Sequence, residues 1–214
     1  MRAIRFGFLA LMSAATLSAC DNVENQPTAP TIDEPSISAA RVAASAPGST
    51  SIAGIAISEG FTELVGALAY VDAQLGTGLV DLFLNGRDQY TVFAPTNKAF
   101  EDLYGLLSVV LEAEIDEITD VDADVVRDVL LYHVAEGRRA SNSVLPKRGQ
   151  RKISSLLGES FGVRPDGTIE DGLTGLELRD DAAVDTPDIS ASNGIIHVIT
   201  AVIVPPSIVE ALTN

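Results

Sequence analysis

Apolar positions in the first half of the chain recur at helical spacing. Phe61, Leu64, Val65, Leu68 and Val71 predict a helix from about Glu59 to Asp72 with one apolar face. Leu79, Val80, Leu82 and Phe83 predict a second, shorter one. Tyr90–Ala94 reads as a strand closed by Pro95. Thr96 or Asn97 then caps a helix carrying Ala99, Phe100 and Leu103, and Leu106–Ala113 continues as helix. Asp122 or Asp124 caps another, with Val125, Val129, Leu130 and Val134 facing inward. Beyond Gly137 the period changes. Alternating runs near Gln150–Ser154, Ser160–Arg164, Gly167–Glu170, Leu176–Arg179 and Ala182–Asp185 predict short strands, and Pro165-Asp166-Gly167 a hairpin turn. The apolar runs Ile195–Ile199 and Ala201–Val204 read as further strands before Pro205-Pro206. Asn193-Gly194 reads as a turn dipeptide whose glycine supplies a positive φ. Helices first and strands after predict one α+β domain over 51–214, helices mainly in its N-terminal half, with a largely antiparallel core.

The chain opens differently. Arg2 and Arg5 precede an apolar stretch from Phe6 to Leu17, shorter than the ~20 residues a bilayer span needs. Small residues then lead to Cys20, the charge, apolar and small-residue order of a secretory signal. Leu17-Ser18-Ala19-Cys20 resembles the cleavage box of bacterial lipoproteins. The resemblance implies a signal peptide over 1–19 and a palmitate-type acyl anchor on Cys20. It implies a lipid-anchored, extracytoplasmic place in the cell envelope, with the membrane as a partner. Several acyl chains hold where one does not, at ~0.8 kcal/mol per buried CH₂. Pro27, Pro30, Pro35 and Pro47 alternate with small and polar residues, so 20–50 predicts a disordered tether behind the anchor.

Composition narrows the function. Hydrophobic residues make up 46% of the 214 and aromatics 5%, so Leu, Ile, Val and Ala must fill the core. Thirty acids against fourteen bases give a net charge of −16, a field that repels phosphate backbones and excludes nucleic acid as a partner of the molecule as a whole. Cys20 is the only cysteine, so there is no internal disulfide and no thiolate zinc site. Charge is unevenly placed: Glu112–Asp128 holds eight acids and one base. The basic residues Arg138, Arg139, Lys147, Arg148, Arg151 and Lys152 follow with no acid among them. Those six are candidates for an anionic glycan, lipid headgroups or the acidic segment of a neighbouring copy in weak self-association. The alternative is that the two segments neutralise each other within one molecule.

Three segments carry a resemblance. Tyr90–Phe100 (YTVFAPTNKAF), Leu130–Val134 (LLYHV) and Asn193–Pro205 (NGIIHVITAVIVP) look like the two signature segments and the central Tyr-His motif of the fasciclin domain, in order and at matching spacing. The resemblance covers roughly Ser51 to Pro206. It implies a wedge-shaped β-sandwich with helices packed along one side, and an association with cell–cell and cell–matrix adhesion. In adhesive animal members the Tyr-His motif and an Asp-Ile pair before the last signature are implicated in integrin binding. The resemblance therefore makes Tyr132, His133, Asp188 and Ile189 binding candidates.

Enzyme signatures are weak by comparison. His133 and His197 are the only histidines and lack a matching carboxylate motif, so they read as buried, hydrogen-bonded residues with no metal. Gly158-Glu159-Ser160-Phe161-Gly162 matches a nucleophile elbow, but Arg164-Pro165-Asp166-Gly167 denies it the helix that must follow, and Ser160 reads as a strand edge. Gly76-Thr77-Gly78 lacks the third glycine of a dinucleotide site and reads as a loop. Asp120, Asp122 and Asp124 imitate a calcium loop, but Val125 and Leu131 stand where the glycine and closing glutamate belong, so they read as a helix cap. No cofactor and no catalytic residue are expected. The sequence points to a non-enzymatic adhesion or docking module whose partner is an envelope or matrix polymer or a surface protein. The alternative is a carrier of a small apolar ligand in a Leu- and Ile-lined crevice between helices and sandwich.

Overall fold

The computed structural model describes residues 48–213 except residue 177; the signal segment, Cys20 and most of the expected tether lie outside them. Three helices come first: Ile52–Ser58 (α1), Thr62–Leu75 (α2) and Leu79–Asn85 (α3). Strand Tyr90–Pro95 (β1) follows, then Asn97–Leu111 (α4), a 3-10 turn at Ile118–Asp120, Ala123–Tyr132 (α5), Val134–Glu136 (β2) and the short Ser141–Val144 (α6). The second half holds Arg151–Ser154 (β3), Ser160–Val163 (β4), Thr168–Glu170 (β5), Ala182–Ala191 (β6), Gly194–Ile199 (β7) and Pro206–Thr213 (α7).

Side chains start the helices where the sequence places them. Thr96 Oγ1 accepts from the Ala99 amide at 3.2 Å to cap α4. Asp122 accepts from the Asp124 and Val125 amides to cap α5. Helix α3 has no cap of its own. Asp72, near the end of α2, reaches over Gly76-Thr77-Gly78 and accepts from the Leu79 and Val80 amides at 2.9 and 2.8 Å. Burial works against that carboxylate, but the Thr77 hydroxyl and the Val80 and Leu79 amides outweigh it and hold Asp72 below the usual carboxylate range.

The strands run β2-β1-β7-β6-β5-β4-β3, antiparallel throughout except for the central β1–β7 pair, which is parallel from Tyr90 opposite Gly194 to Pro95 opposite Ile199. β1 and β4 stand four positions apart in that order, about 19 Å in a flat sheet. Yet the rings of Phe93 and Phe161 meet edge-on with centroids 5.0 Å apart. The sheet must therefore fold back on itself as a sandwich. Register shifts in β6 between Val184 and Ile189 loosen the ladder between its two halves, and Asp188 there takes a left-handed φ of 67°.

Alternation along β1 serves two cores. Val92 and Ala94 join Leu64, Leu68 and Phe100 under the helices. Phe93 points the other way, into the sandwich with Tyr132, Phe161 and Ile169.

Several expectations change. Val134 lies in β2, not in a helix. Leu176, Leu178 and Arg179 lie in no strand; Arg179 pairs at 2.7 Å with the Asp171 carboxylate, whose side chain is buried. Val202–Val204 is buried but joins no ladder; two of its amides find side chains instead, Ile203 N donating to His133 Nε2 and Val204 N to Asp171. Gly194 does not take a left-handed φ. A β-carbon there would land on the Tyr90 carbonyl and crowd Ile52, so glycine is needed for close approach. Asn193 beside it is a buried brace, accepting from the Ile52 amide at 2.8 Å and donating to the Phe83 carbonyl at 2.9 Å.

Candidate functional site

Both histidines are built into the frame. His133 Nδ1–H donates to the Val129 carbonyl at 2.6 Å one turn back in α5, and Nε2 accepts from Ile203 N at 3.1 Å. Burial pushes this imidazole down to about 4, against the Val129 carbonyl, which favours the cation; the Arg179 charge lowers it further. His197 is fully buried in β7; its Nε2–H donates to the Arg139 carbonyl at 2.9 Å and its Nδ1 accepts from the Asp188 amide at 3.2 Å. Burial lowers its pKa too, against the Arg139 carbonyl and the Asp188 charge. Each ring has both nitrogens engaged by the backbone, which leaves no lone pair for a metal and no free base.

The other pairs share this inward role. Tyr132 is 0% exposed, edge-on to Phe161 at 5.4 Å, and its hydroxyl has no hydrogen-bond partner. Asp188 accepts from the Ser141 amide at 2.7 Å and from the Ser141 hydroxyl, starting α6 from across the sheet. Ile189 packs partly buried against the core under the helices. Tyr132 offers a partner no surface in this conformation, and His133 reaches only a cavity between α2, α4 and α5.

The six bases divide. Arg138 clamps the β6–β7 turn, donating to the carbonyls of Ala191 and Gly194 and to the Ser190 hydroxyl. Arg139 donates its amide to Thr91 Oγ1 and its Nε–H to the Glu136 carbonyl. Lys147, Arg148, Arg151 and Lys152 are exposed on edge strand β3 and the loop before it, where Arg151 touches the Ser143 carbonyl at 2.7 Å. Among the described residues none of these four forms an ion pair. Arg127 meets Asp124 and Asp128 inside the acidic segment, so no ion pair joins the acidic to the basic segment.

Ser160 opens β4 opposite Ser154, with strand and hairpin after it, so the turn that would present a nucleophile does not form. Asp120 accepts from the Asp116 and Glu117 amides, Asp122 caps α5, and Asp124 pairs with Arg127. Each carboxylate is taken up locally.

The crevice offered as the alternative has a counterpart among the helices. Between α2, α4, α5 and the Val202–Ile208 segment lies a cavity of about 230 Å³. Buried Ala67, Phe100, Val126 and Val202 form its inner wall, while part-exposed Ile118 and Val121 and exposed Leu111 form its rim. A crevice of Leu and Ile is present, five leucines and two isoleucines with six valines among them.

The sequence profile of the Fasciclin domain matches residues 59–205. Protein sll1483 of Synechocystis is 34% identical over 149 residues, covering 69% of each chain. Immunogenic protein MPB70 of Mycobacterium bovis is 31% identical over 147 residues, 68% of this chain and 65% of its own. Human periostin is 30% identical over 126 residues, 57% of this chain and 13% of its own, so the chain spans only a small part of that relative. The solved FAS1 domain pair from the insect cell adhesion molecule Fasciclin I gives a TM-score of 0.44 at 17% identity, over 66% of this chain and 45% of that one.

Proposed function

The chain belongs to the fasciclin family, and from that premise we propose that it is a non-enzymatic, lipid-anchored interaction module outside the cytoplasm, docking to an anionic polymer of the cell envelope. One observation carries the choice of partner. Lys147, Arg148, Arg151 and Lys152 stand exposed on β3 and the loop before it, without ion pairs among the described residues, in a chain whose net charge is −16. A positive strip on an acidic body selects a polyanion locally while the rest of the surface repels it, which fixes orientation. The same charges keep the edge strand from pairing with a second sheet. A non-enzymatic role is supported by the two histidines, whose four ring nitrogens all serve backbone groups. Cys20 supplies the proposed anchor, and the 20–50 segment the proposed reach.

Immobilised heparin, used as a generic polyanion, tests the docking face. Wild type is retained and elutes earlier as salt screens the contact. Arg148→Glu with Arg151→Glu passes through unretained while melting at the wild-type temperature. Unchanged retention of that variant removes the basic edge as the docking face. For the anchor, Cys20→Ser moves the protein from the membrane fraction to the soluble one; a variant that stays equally membrane-bound removes the lipid hook.

A further inference from the structure

We propose that the cavity between α2, α4, α5 and the Val202–Ile208 segment is a binding site for a small hydrocarbon-bodied molecule with an uncharged head, such as a medium-chain alcohol. Protein interiors pack to crystal density and keep few voids larger than a water molecule, because an unfilled void costs stability in proportion to its volume. A space of about 230 Å³ that opens at its rim and reaches buried Ala67 and Val126 between the helices is thus a feature of shape. A cavity of about 150 Å³ with such walls admits benzene; by that scale this one holds about nine carbons.

The chemistry of the walls selects the occupant. Leu, Ile, Val, Ala and Phe side chains supply nearly all of the surface, and the three ionisable lining residues are already engaged. His133 has both nitrogens on the backbone, Asp122 is taken by the Asp124 and Val125 amides, and Asp120 by the Asp116 and Glu117 amides. Among the described residues no lysine or arginine lines the cavity to receive a carboxylate. The rim instead carries Asp120 and Asp122, within a segment of eight acids and one base, so a fatty-acid anion meets like charge on entry. Binding is left to burial of an apolar body, with the head turned out to water at the rim.

A smaller apolar groove lies beside the cavity, sharing Leu103, Leu107 and Val204 with it and lined also by Val110 and Leu178, which are 38% and 45% exposed.

Displacement of the fluorescent probe N-phenyl-1-naphthylamine tests this with the full chain. The probe binds saturably, and alcohols from pentanol to octanol displace it, each added methylene tightening binding about fourfold. Octanoate at low salt is at least tenfold weaker than octanol, and the gap narrows in high salt. Ala67→Leu from α2 and Val121→Phe from the rim each weaken octanol at least tenfold in protein that retains its circular dichroism, whereas Arg148→Glu with Arg151→Glu leaves it unchanged. In wild type, octanol moves the amide resonances of Ala67, Val126 and Val202 and not those of Arg151 and Lys152. Octanoate binding as tightly as octanol overturns the head-group preference. Affinity independent of chain length, or resonance shifts away from the cavity, overturns the site itself, without touching the polyanion result.

Discussion

Acidification should destabilise this domain through His133, together with the likewise buried His197, before the carboxylates dominate. His133 is neutral in the folded chain because Nδ1–H is spent on Val129 and Nε2 accepts from Ile203 at 3.1 Å. A proton on Nε2 would face the Ile203 N–H, at a residue only 3% exposed. Its pKa lies at about 4 in the fold against 6.5 for the free side chain. Between those two values the unfolded chain binds the extra proton, so stability is complete above about pH 6.5 and falls as pH drops through the window. At about 1.4 kcal/mol per pH unit the full window is worth about 3 kcal/mol, a large share of the 5–15 kcal/mol typical of a domain. Urea unfolding followed by far-ultraviolet circular dichroism, at intervals from about pH 7 to about pH 4.5, measures it. His133→Gln is less stable at neutral pH, but its stability falls less on acidification, and the two curves converge by one proton's slope. His197 and the carboxylates are common to both proteins and cancel. Parallel curves, or a His133 imidazole titrating near 6.5 by NMR, refute the reasoning.

Three further outcomes follow from contacts described above. Tyr132→Phe removes a buried hydroxyl that has no partner, so it should leave stability unchanged or raise it by about 1 kcal/mol in urea melts; a loss beyond that would mean the hydroxyl is bonded. Gly194→Ala drives a methyl group onto the Tyr90 carbonyl in the central parallel pair and should cost about 1–3 kcal/mol, read as a lowered midpoint at constant m. Arg138→Met frees the carbonyls of Ala191 and Gly194 and should cost about 1–3 kcal/mol while leaving heparin retention intact, the reverse of the Arg148 and Arg151 reversals.

Where the chain repeats a period and marks its ends with a capping side chain, the elements are legible: α2, α4 and α5, with Thr96 and Asp122 at two of the starts, and β1, β3, β4 and β7. Helix α1 is hidden because Ile52, Ala53, Ile55 and Ala56 crowd into seven residues and show no polar face. Val202–Val204 reads as strand because burial looks the same whether an amide bonds to a neighbouring strand or to His133 and Asp171, 70 and 33 residues away. Gly194 deceives for a related reason: its neighbour dictates the residue, and that neighbour is Tyr90. The basic run is visible as charge, but nothing local separates Arg138 and Arg139, which turn inward to carbonyls, from the four bases on the β3 edge. The cavity is legible only as an alternative, a Leu- and Ile-lined crevice without a stated place, since a residue that lines a void and one that fills it carry the same apolar signature.

The parallel pairing of β1 with β7 bears on the order of assembly. Its two strands are about a hundred residues apart in the chain, and loop closure over that distance is slow. A growing polypeptide that has released β1 has only β2 to pair with until the last strand leaves the ribosome. Until then Phe93 and Val92 lack the wall that completes both cores, so partial chains remain open and pliable. Such a protein reaches its final shape as a late, all-or-none event, and a truncation ahead of Gly194 should leave no native half behind.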